Sequence, residues 1–559
     1  MTKGRVIGAA VFSLIALVIL LVVNYLALPA KNIRSAGFWW YMILVLIFVS
    51  LIVTVLFHDE NDMPIWIAWG ATVVFIVLFA VLGLASSALF NSHALHDVAK
   101  VTVSDVWVDD FADLSVIKNQ ETLPLVDMDT AITLGDKKLA GIQHASWFDV
   151  DDEYNLIQYQ GQYYRLSTID YAGYFEYRKA EYDGIPGYVL VPVTPENGIV
   201  TQEALLVELE QPIRYTPGAF WGYDLRRHLR NQYSSYIFDD SFMEIDENGV
   251  PYWVTGVLRP SAGVFGGKVI NSFILTNAQT GDSQECLVTD APEWIDHIYS
   301  LDYLMEIAYW KYAYANGFWN NSFSKSNVWR TSYHYRDTSN GEKKEGAAQF
   351  AHFYGYTSIV NAEGEVCFYT GLTAANAAES NLGWLVIDTS TGEMTQYNLV
   401  GAEESSAQAA VEQLVQEKGY EATFPLPVNI CGEASYLMCL KGKAGLVQSY
   451  AICNMNNYSI AVQADTLPGA IQAYQAKLGN EVIEGGTTSD VEVKSGSGIV
   501  SAVYTAEING TTQFYYVVNG ELYRSPITIN ERQVLYGVGT KISFSYYEDG
   551  NIRVVTMIE

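Results

Sequence analysis

Three stretches, 6–28, 38–57 and 65–89, each run for 20 or more residues without a charged side chain. A hydrocarbon layer roughly 30 Å thick is crossed by about 20 apolar residues of helix, and a segment inside it must satisfy its own backbone polar groups. Residues 1–95 therefore predict an anchor of three transmembrane helices. The first stretch is too long for the apolar core of a secretory signal peptide. Trp39, Trp40 and Tyr41 open the second stretch, and Trp66 and Trp69 open the third. Amphipathic rings favour those interface positions. The most polar side chain within the spans is Asn24. Transport pathways and proton relays need charged groups at depth, so the pattern reads as an anchor.

The side of the membrane is less marked. Lys3 and Arg5 precede the first span, and Lys31 and Arg34 lie in the first loop. The positive-inside count is thus nearly tied. An inside N-terminus, which places the remaining chain outside, agrees with sparse Lys and with 39 Tyr and 13 Trp. The chain of 559 residues carries a formal charge of −30 from 32 Lys+Arg and 62 Asp+Glu. All of that net charge lies beyond Asp97, because the first 97 residues hold four basic and four acidic side chains. Such a field repels phosphate backbones and excludes nucleic acid as an expected partner.

Beyond the anchor, Asn248-Gly249, Glu363-Gly364, Asn519-Gly520 and Asp549-Gly550 separate alternating apolar runs, a hairpin signal. Helices are expected from Thr216-Pro217 to about Tyr236, after Ser300, over 402–418, and after Thr466. Capping residues and apolar stripes mark them. The division expected is a first α+β region at 98–300, a second at 301–479, a linker at 480–498 and a small β-barrel of OB or SH3 type at 499–559. The linker is rich in Gly, Ser, Thr and Glu. The barrel follows from short strand patterns broken by Gly turns.

Gly184, Gly249, Gly364 and Gly432 are each followed four residues later by an aromatic: Tyr188, Trp253, Phe368 and Tyr436. Two units share the ending [DN]-x-x-T-G, at Asn277–Gly281 and Asp388–Gly392. A helix feeding three antiparallel strands with that ending resembles the PepSY module over about residues 180–480. The resemblance implies non-catalytic folding, inhibitory or sensing modules outside the cytoplasm. The whole chain also resembles an uncharacterised family of membrane proteins from Gram-positive anaerobic bacteria. It does so through "FMEIDENGVPYW" from Phe242, "APEWIDHIYS" from Ala291, "GFWNNSF" from Gly317 and "YTGLTAANAAESNLGW" from Tyr369. "EKGYEATFPL" from Glu417 and "LKGKAGLVQSYA" from Leu440 complete the match. That likeness implies architecture and no chemistry.

Signatures of catalysis are missing: there is no GxSxG elbow, HExxH, P-loop or GxGxxG. No catalytic, metal-binding or cofactor-binding residue is therefore expected, and no cofactor. His334 and His352 flank a charged stretch that reads as a polar loop. Asp149, Asp151, Asp152 and Glu153 resemble a calcium loop, but Tyr154 and Gln160 stand where Gly and Glu are required. The five cysteines lack CxxC spacing and read as buried hydrophobes; the alternative is a Cys439–Cys453 bridge across a hairpin. Arg226 and Arg230, one helical turn apart in "LRRHLRNQY", form the candidate contact for an anion or partner. Dense tyrosines such as Tyr163, Tyr164 and Tyr171 read as packing rather than as a stacking platform.

The function expected is that of a membrane-anchored, non-catalytic binding or scaffold protein of the bacterial cell surface. The alternative is an accessory or sensing subunit of a membrane complex, with spans meeting partner helices through Gly70, Gly83, Ser86 and Ser87. A third reading is an enzyme with an unrecognised site. Expected partners are membrane lipid and proteins bound through the spans or the barrel.

Overall fold

The computed structural model describes residues 3–558 except 58–61, 112, 121, 143, 153, 181–182, 197, 332–354, 376–379, 400, 479–493, 509–510 and 550–551. His334, His352 and most of the expected linker lie outside the described residues. Three N-terminal apolar helices lead into a sheet-rich α+β region, and a closed β-barrel ends the chain.

Helices α1 (Lys3–Ala27), α2 (Ala36–Phe57) and α3 (Met63–Ala85) are long and apolar enough to cross a bilayer. Helix α2 packs against both others. Hydroxyls that the sequence reading passed over tie α2 to α3. Ser50 and Thr72 share a buried hydrogen bond of 2.8 Å, and Trp69 Nε1 donates to Thr54 Oγ1 at 3.1 Å. Chain direction puts the end of α1, the start of α2 and the end of α3 on one side. A short helix, α4 (Ala88–His96), continues from α3 into the domain.

Four sheets of four or more strands build the domain, beside a two-stranded ladder of Pro195–Glu196 and Ile199–Val200. The first has the order 148–150, 162–171, 185–192, 205–213, with 155–159 added beside 162–171. The second is an antiparallel meander of Ile237–Ile245, Pro251–Ala262, Gly266–Asn277 and Ser283–Leu287. The seven-stranded third centres on Val366–Ala374 and Ser380–Asp388, and Val101–Ser104 joins it parallel to Met394–Tyr397. The fourth centres on Glu433–Lys441 and Val447–Asn454.

Tyr188, Trp253, Phe368 and Tyr436 all lie on inner strands and are 0%, 3%, 7% and 0% exposed. The glycine four residues before each has a left-handed φ, between +73° and +90°, which a residue with a Cβ adopts at a cost. At Gly249, Gly364 and Gly432 the turn closes a hairpin. At Gly184 the preceding element is a helix, Tyr174–Ala180, so the first unit departs from the other three. The two [DN]-x-x-T-G endings fold alike. Asn277 Oδ1 and Asp388 Oδ1 each accept backbone N–H bonds from residues two and three positions on.

One hydrophobic core runs through residues 114–474 and includes Tyr188, Trp253, Trp384 and Tyr436, so chain on both sides of residue 300 contributes to it. A second core lies between the second sheet, helix Leu301–Ala313 and the Phe368 face of the third sheet. The barrel has its own core, including Val500, Phe514, Tyr516 and Phe544. Its strand order in chain numbering is 1-2-3-5-4, with a parallel pair between the third and fifth. That is not an up-and-down meander, and it fits the Greek-key OB type. Its first strand begins at Lys494, so residues 494–498 belong to the barrel rather than to a linker.

Ser300 and Thr466 cap helices as their positions predict, accepting from Tyr303 N and Gly469 N. The helix expected from Thr216 starts later and is only Leu225–Gln232. Thr216 donates to Asp170 at 3.0 Å instead, and Asp224 caps the helix by accepting from Arg227 N at 2.7 Å. All five cysteines are free. Cys439 faces Tyr450 and Cys453 faces Tyr436 across adjacent strands, so the two are out of register for a bridge.

Candidate functional site at the junction of anchor and domain

Helix Leu225–Gln232 buries Leu225 and Leu229 and turns its arginines outward. His228 Nε2 lies 2.7 Å from Gly281 O, which fastens the helix to the second sheet. Arg227 reaches the last turn of α1. Its guanidinium lies 3.6 Å over the Tyr25 ring and donates to Tyr25 OH at 2.6 Å and Tyr25 O at 3.2 Å. Arg230 Nε donates to Leu28 O at 3.0 Å, and its Nη1 donates to Tyr236 O at 2.5 Å. Cations at a helix C-terminus meet the negative end of its dipole and its unpaired carbonyls. Each such contact contributes up to about 2 kcal/mol when partly buried. Burial lowers the Arg230 pKa, and the neighbouring Arg226 charge lowers it further.

The sequence-predicted pair is therefore divided. Arg230 is spent on the anchor, while Arg226 is exposed. Arg227 takes the place expected of Arg226. The three arginines of "LRRHLRNQY" were the available signal.

A second tie runs through the α1–α2 loop. Lys31 N donates to Ser234 O at 2.8 Å, Asn32 Nδ2 to Ser235 O at 2.9 Å and Arg34 Nη1 to Pro260 O at 3.2 Å.

The third tie is the tip of the long hairpin between Pro251–Ala262 and Gly266–Asn277. Ser86 Oγ accepts from Val264 N at 2.8 Å and from Phe265 N at 3.2 Å. Phe265 packs against Trp39 of α2 and Phe79 of α3, with centroids 6.2 and 5.6 Å apart. Gly263 has φ +64°, and a Cβ there would fall 2.7 Å from Ser86 Cα. Only glycine allows this approach. The sequence signal was an apolar Phe inside a glycine-rich turn.

A fourth tie joins α4 to helix Leu301–Ala313, where His96 Nδ1 lies 2.7 Å from Lys311 O and Leu95 packs with Ala262, Ala313 and Tyr314. The second sheet and its flanking helices thus hold every domain-side end of the anchor. Of the four small residues considered for helix contacts, Ser86 is used by this hairpin and Ser87 Oγ donates to Leu84 O. Gly70 and Gly83 have open space where a Cβ would stand.

Elsewhere, buried ionisable groups brace the sheets. Asp170 accepts from Thr216 Oγ1, Gly218 N and Tyr171 N, and burial raises its pKa to about 6. Lys441 pairs with Asp127 at 2.5 Å. Although burial opposes it, that contact keeps the Asp127 carboxyl below its usual range. Glu244 Oε1 meets His297 N at 3.1 Å and His297 Nδ1 at 2.9 Å. Burial raises the Glu244 pKa and lowers that of His297 to about 4. Asp296 accepts from Gln158 N at 2.6 Å, and its pKa rises to about 7 through burial and the Glu244 charge.

Asp136, Asp149, Asp151 and Asp152 line an open acidic recess. Among the described residues no group of three or more His, Cys, Asp or Glu is arranged to hold a metal. No family model matches the chain, and no curated protein matches it closely enough to count as a relative.

Proposed function

We propose that this chain is a membrane-anchored, non-catalytic binding or scaffold protein of the bacterial cell surface, with its large domain outside the cytoplasm. The observation that carries the reading is the four-point junction. Arg227 and Arg230 at the end of α1, the 31–34 loop on Ser234, Ser235 and Pro260, the Val264-Phe265 turn on Ser86, and His96 against Lys311 O hold the domain against the ends of three apolar helices. A domain fixed in this way presents its far surface at a set height and angle, which suits display or contact. The buried carboxyls support it, because Asp170, Asp127 and Asp296 are engaged by internal donors.

The repeated helix-and-hairpin layout with inward aromatics supports diverged PepSY-like units. For orientation, Arg34 has a structural reason to be on the domain side, since it donates to Pro260 O. It therefore weighs less in the positive-inside count, and an inside N-terminus is favoured.

The alternative, an accessory or sensing subunit of a membrane complex, draws on the unoccupied space beside Gly70 and Gly83 of α3. An enzyme with an unrecognised site is the third reading. Isolation from native membranes in mild detergent, followed by intact-complex mass measurement, tests all three. A stoichiometric protein partner supports the first two. A chain isolated alone that turns over a small molecule in a broad substrate screen overturns the non-catalytic reading.

A further inference from the structure

The domain exposes large aromatic rings beside the ends of the anchor. Phe175 is 74% exposed and Trp221 50%. Trp221 holds a left-handed φ of +59°, a conformation disfavoured for a residue with a Cβ. Its ring lies 5.8 Å from Tyr25, in the last turn of α1, and 6.5 Å from Tyr174, which touches Phe175 at 5.7 Å. These exposed rings are thus continuous with the end of a span.

Arg226 follows Trp221 by five residues and is exposed on helix Leu225–Gln232. It has no hydrogen bond or ion pair of its own among the described residues, and it lies one turn from Arg230, which bonds Leu28 O just past α1. On the α3 side, Gly317–Trp319 packs on α4. There Trp319 and Phe323, 63% and 75% exposed, stack with centroids 5.8 Å apart.

Contiguous exposed apolar surface marks a contact site. Aromatic rings at this level favour the headgroup region, and a guanidinium matches a phosphate.

We propose that the domain rests on the bilayer. Phe175 and Trp221 enter the headgroup layer on one flank, Trp319 and Phe323 enter it on the other, and Arg226 meets a lipid phosphate. The inference rests on the reading of α1–α3 as membrane-spanning.

The test uses the full chain in vesicles of phosphatidylcholine and phosphatidylglycerol, with Cys286→Ser and Cys431→Ser removing the partly exposed thiols. Nitroxides are placed singly at Phe175→Cys, Phe323→Cys, Val18→Cys within α1 and Lys443→Cys on an exposed turn. The 175 and 323 probes should be reached by oxygen more than by a polar nickel chelate, relative to the probe at 443, and should sit shallower than the probe at 18. Arg226→Glu should move the 175 probe outward, and Arg226→Lys should leave it in place. Probes at 175 and 323 as aqueous as that at 443, with 18 still in hydrocarbon, overturn the proposal and leave the anchor standing. An aqueous reading at 18 removes the anchor itself. Unchanged depth at 175 in Arg226→Glu overturns the phosphate contact.

Discussion

Arg227 lies 3.6 Å over the ring of Tyr25 while donating to both the hydroxyl and the carbonyl of the same residue. One side chain of the domain thereby grips a side chain and the backbone at the end of the first span. A desolvated cation–π contact contributes about 2 kcal/mol, and a hydrogen bond to a charged group about 1.5–3 kcal/mol. Arg227→Ala should therefore loosen the junction by a few kcal/mol, roughly, without unfolding the sheets. Hydrogen exchange is the measurement: amides of residues 25–35 should lose protection while those of 436–441 keep theirs. Equal loss in both segments would mean that Arg227 serves the fold rather than the junction.

Trp253 is 3% exposed, and its Nε1 donates to Tyr215 O at 2.7 Å. Phe368 is 7% exposed and sits edge-on to Tyr356 at 5.5 Å. Replacing either with Ala should cost about 3–5 kcal/mol, as emptying a buried aromatic site does. Thermal unfolding of the full chain in detergent reads it. Melting unchanged in both variants would rule out the inward packing.

Much of the fold was legible for this reason. Three charge-free spans, turn glycines with left-handed φ and an aromatic four residues on are local patterns, and local patterns survive in sequence. The caps at Ser300 and Thr466 were legible on the same ground. What failed was tertiary. Thr216 looks like a helix cap, but Asp170, 46 residues away in sequence, takes its hydroxyl. The site was only half visible: Arg226 and Arg230 announced a contact, but Arg227 in place of Arg226, Tyr25 as the acceptor and Ser86 as the hairpin's seat depend on long-range approach. Nothing local in Ser86 distinguishes it from Ser87.

Acidity should stabilise this domain over a definite range. Asp296 titrates near 7 in the fold against 3.8 unfolded, and Asp170 and Asp239, the latter raised by burial on strand Ile237–Ile245, near 6. A raised folded pKa gives stability that is complete below the unfolded value and is lost as pH rises through the folded one. His297 works in the opposite sense. Its pKa falls from 6.5 to about 4, so its share is lost as pH falls through that window. Three carboxyls outweigh one imidazole, and melting temperature should rise as pH drops from 7 towards 5. Asp296→Asn should flatten that rise and melt higher than the parent above pH 7. Parallel curves for the two proteins would show that Asp296 ionises normally.

A bilayer crossed by α1, α2 and α3 with the domain on its outer side makes a direct labelling prediction. Single cysteines at Lys443, on an exposed turn of the fourth sheet, and at Asp62, just before α3, report the two sides. A membrane-impermeant thiol reagent on intact cells should label Lys443→Cys, and should label Asp62→Cys only after lysis. Labelling of Asp62→Cys alone on intact cells would place the domain inside, and labelling of both would contradict a three-span anchor.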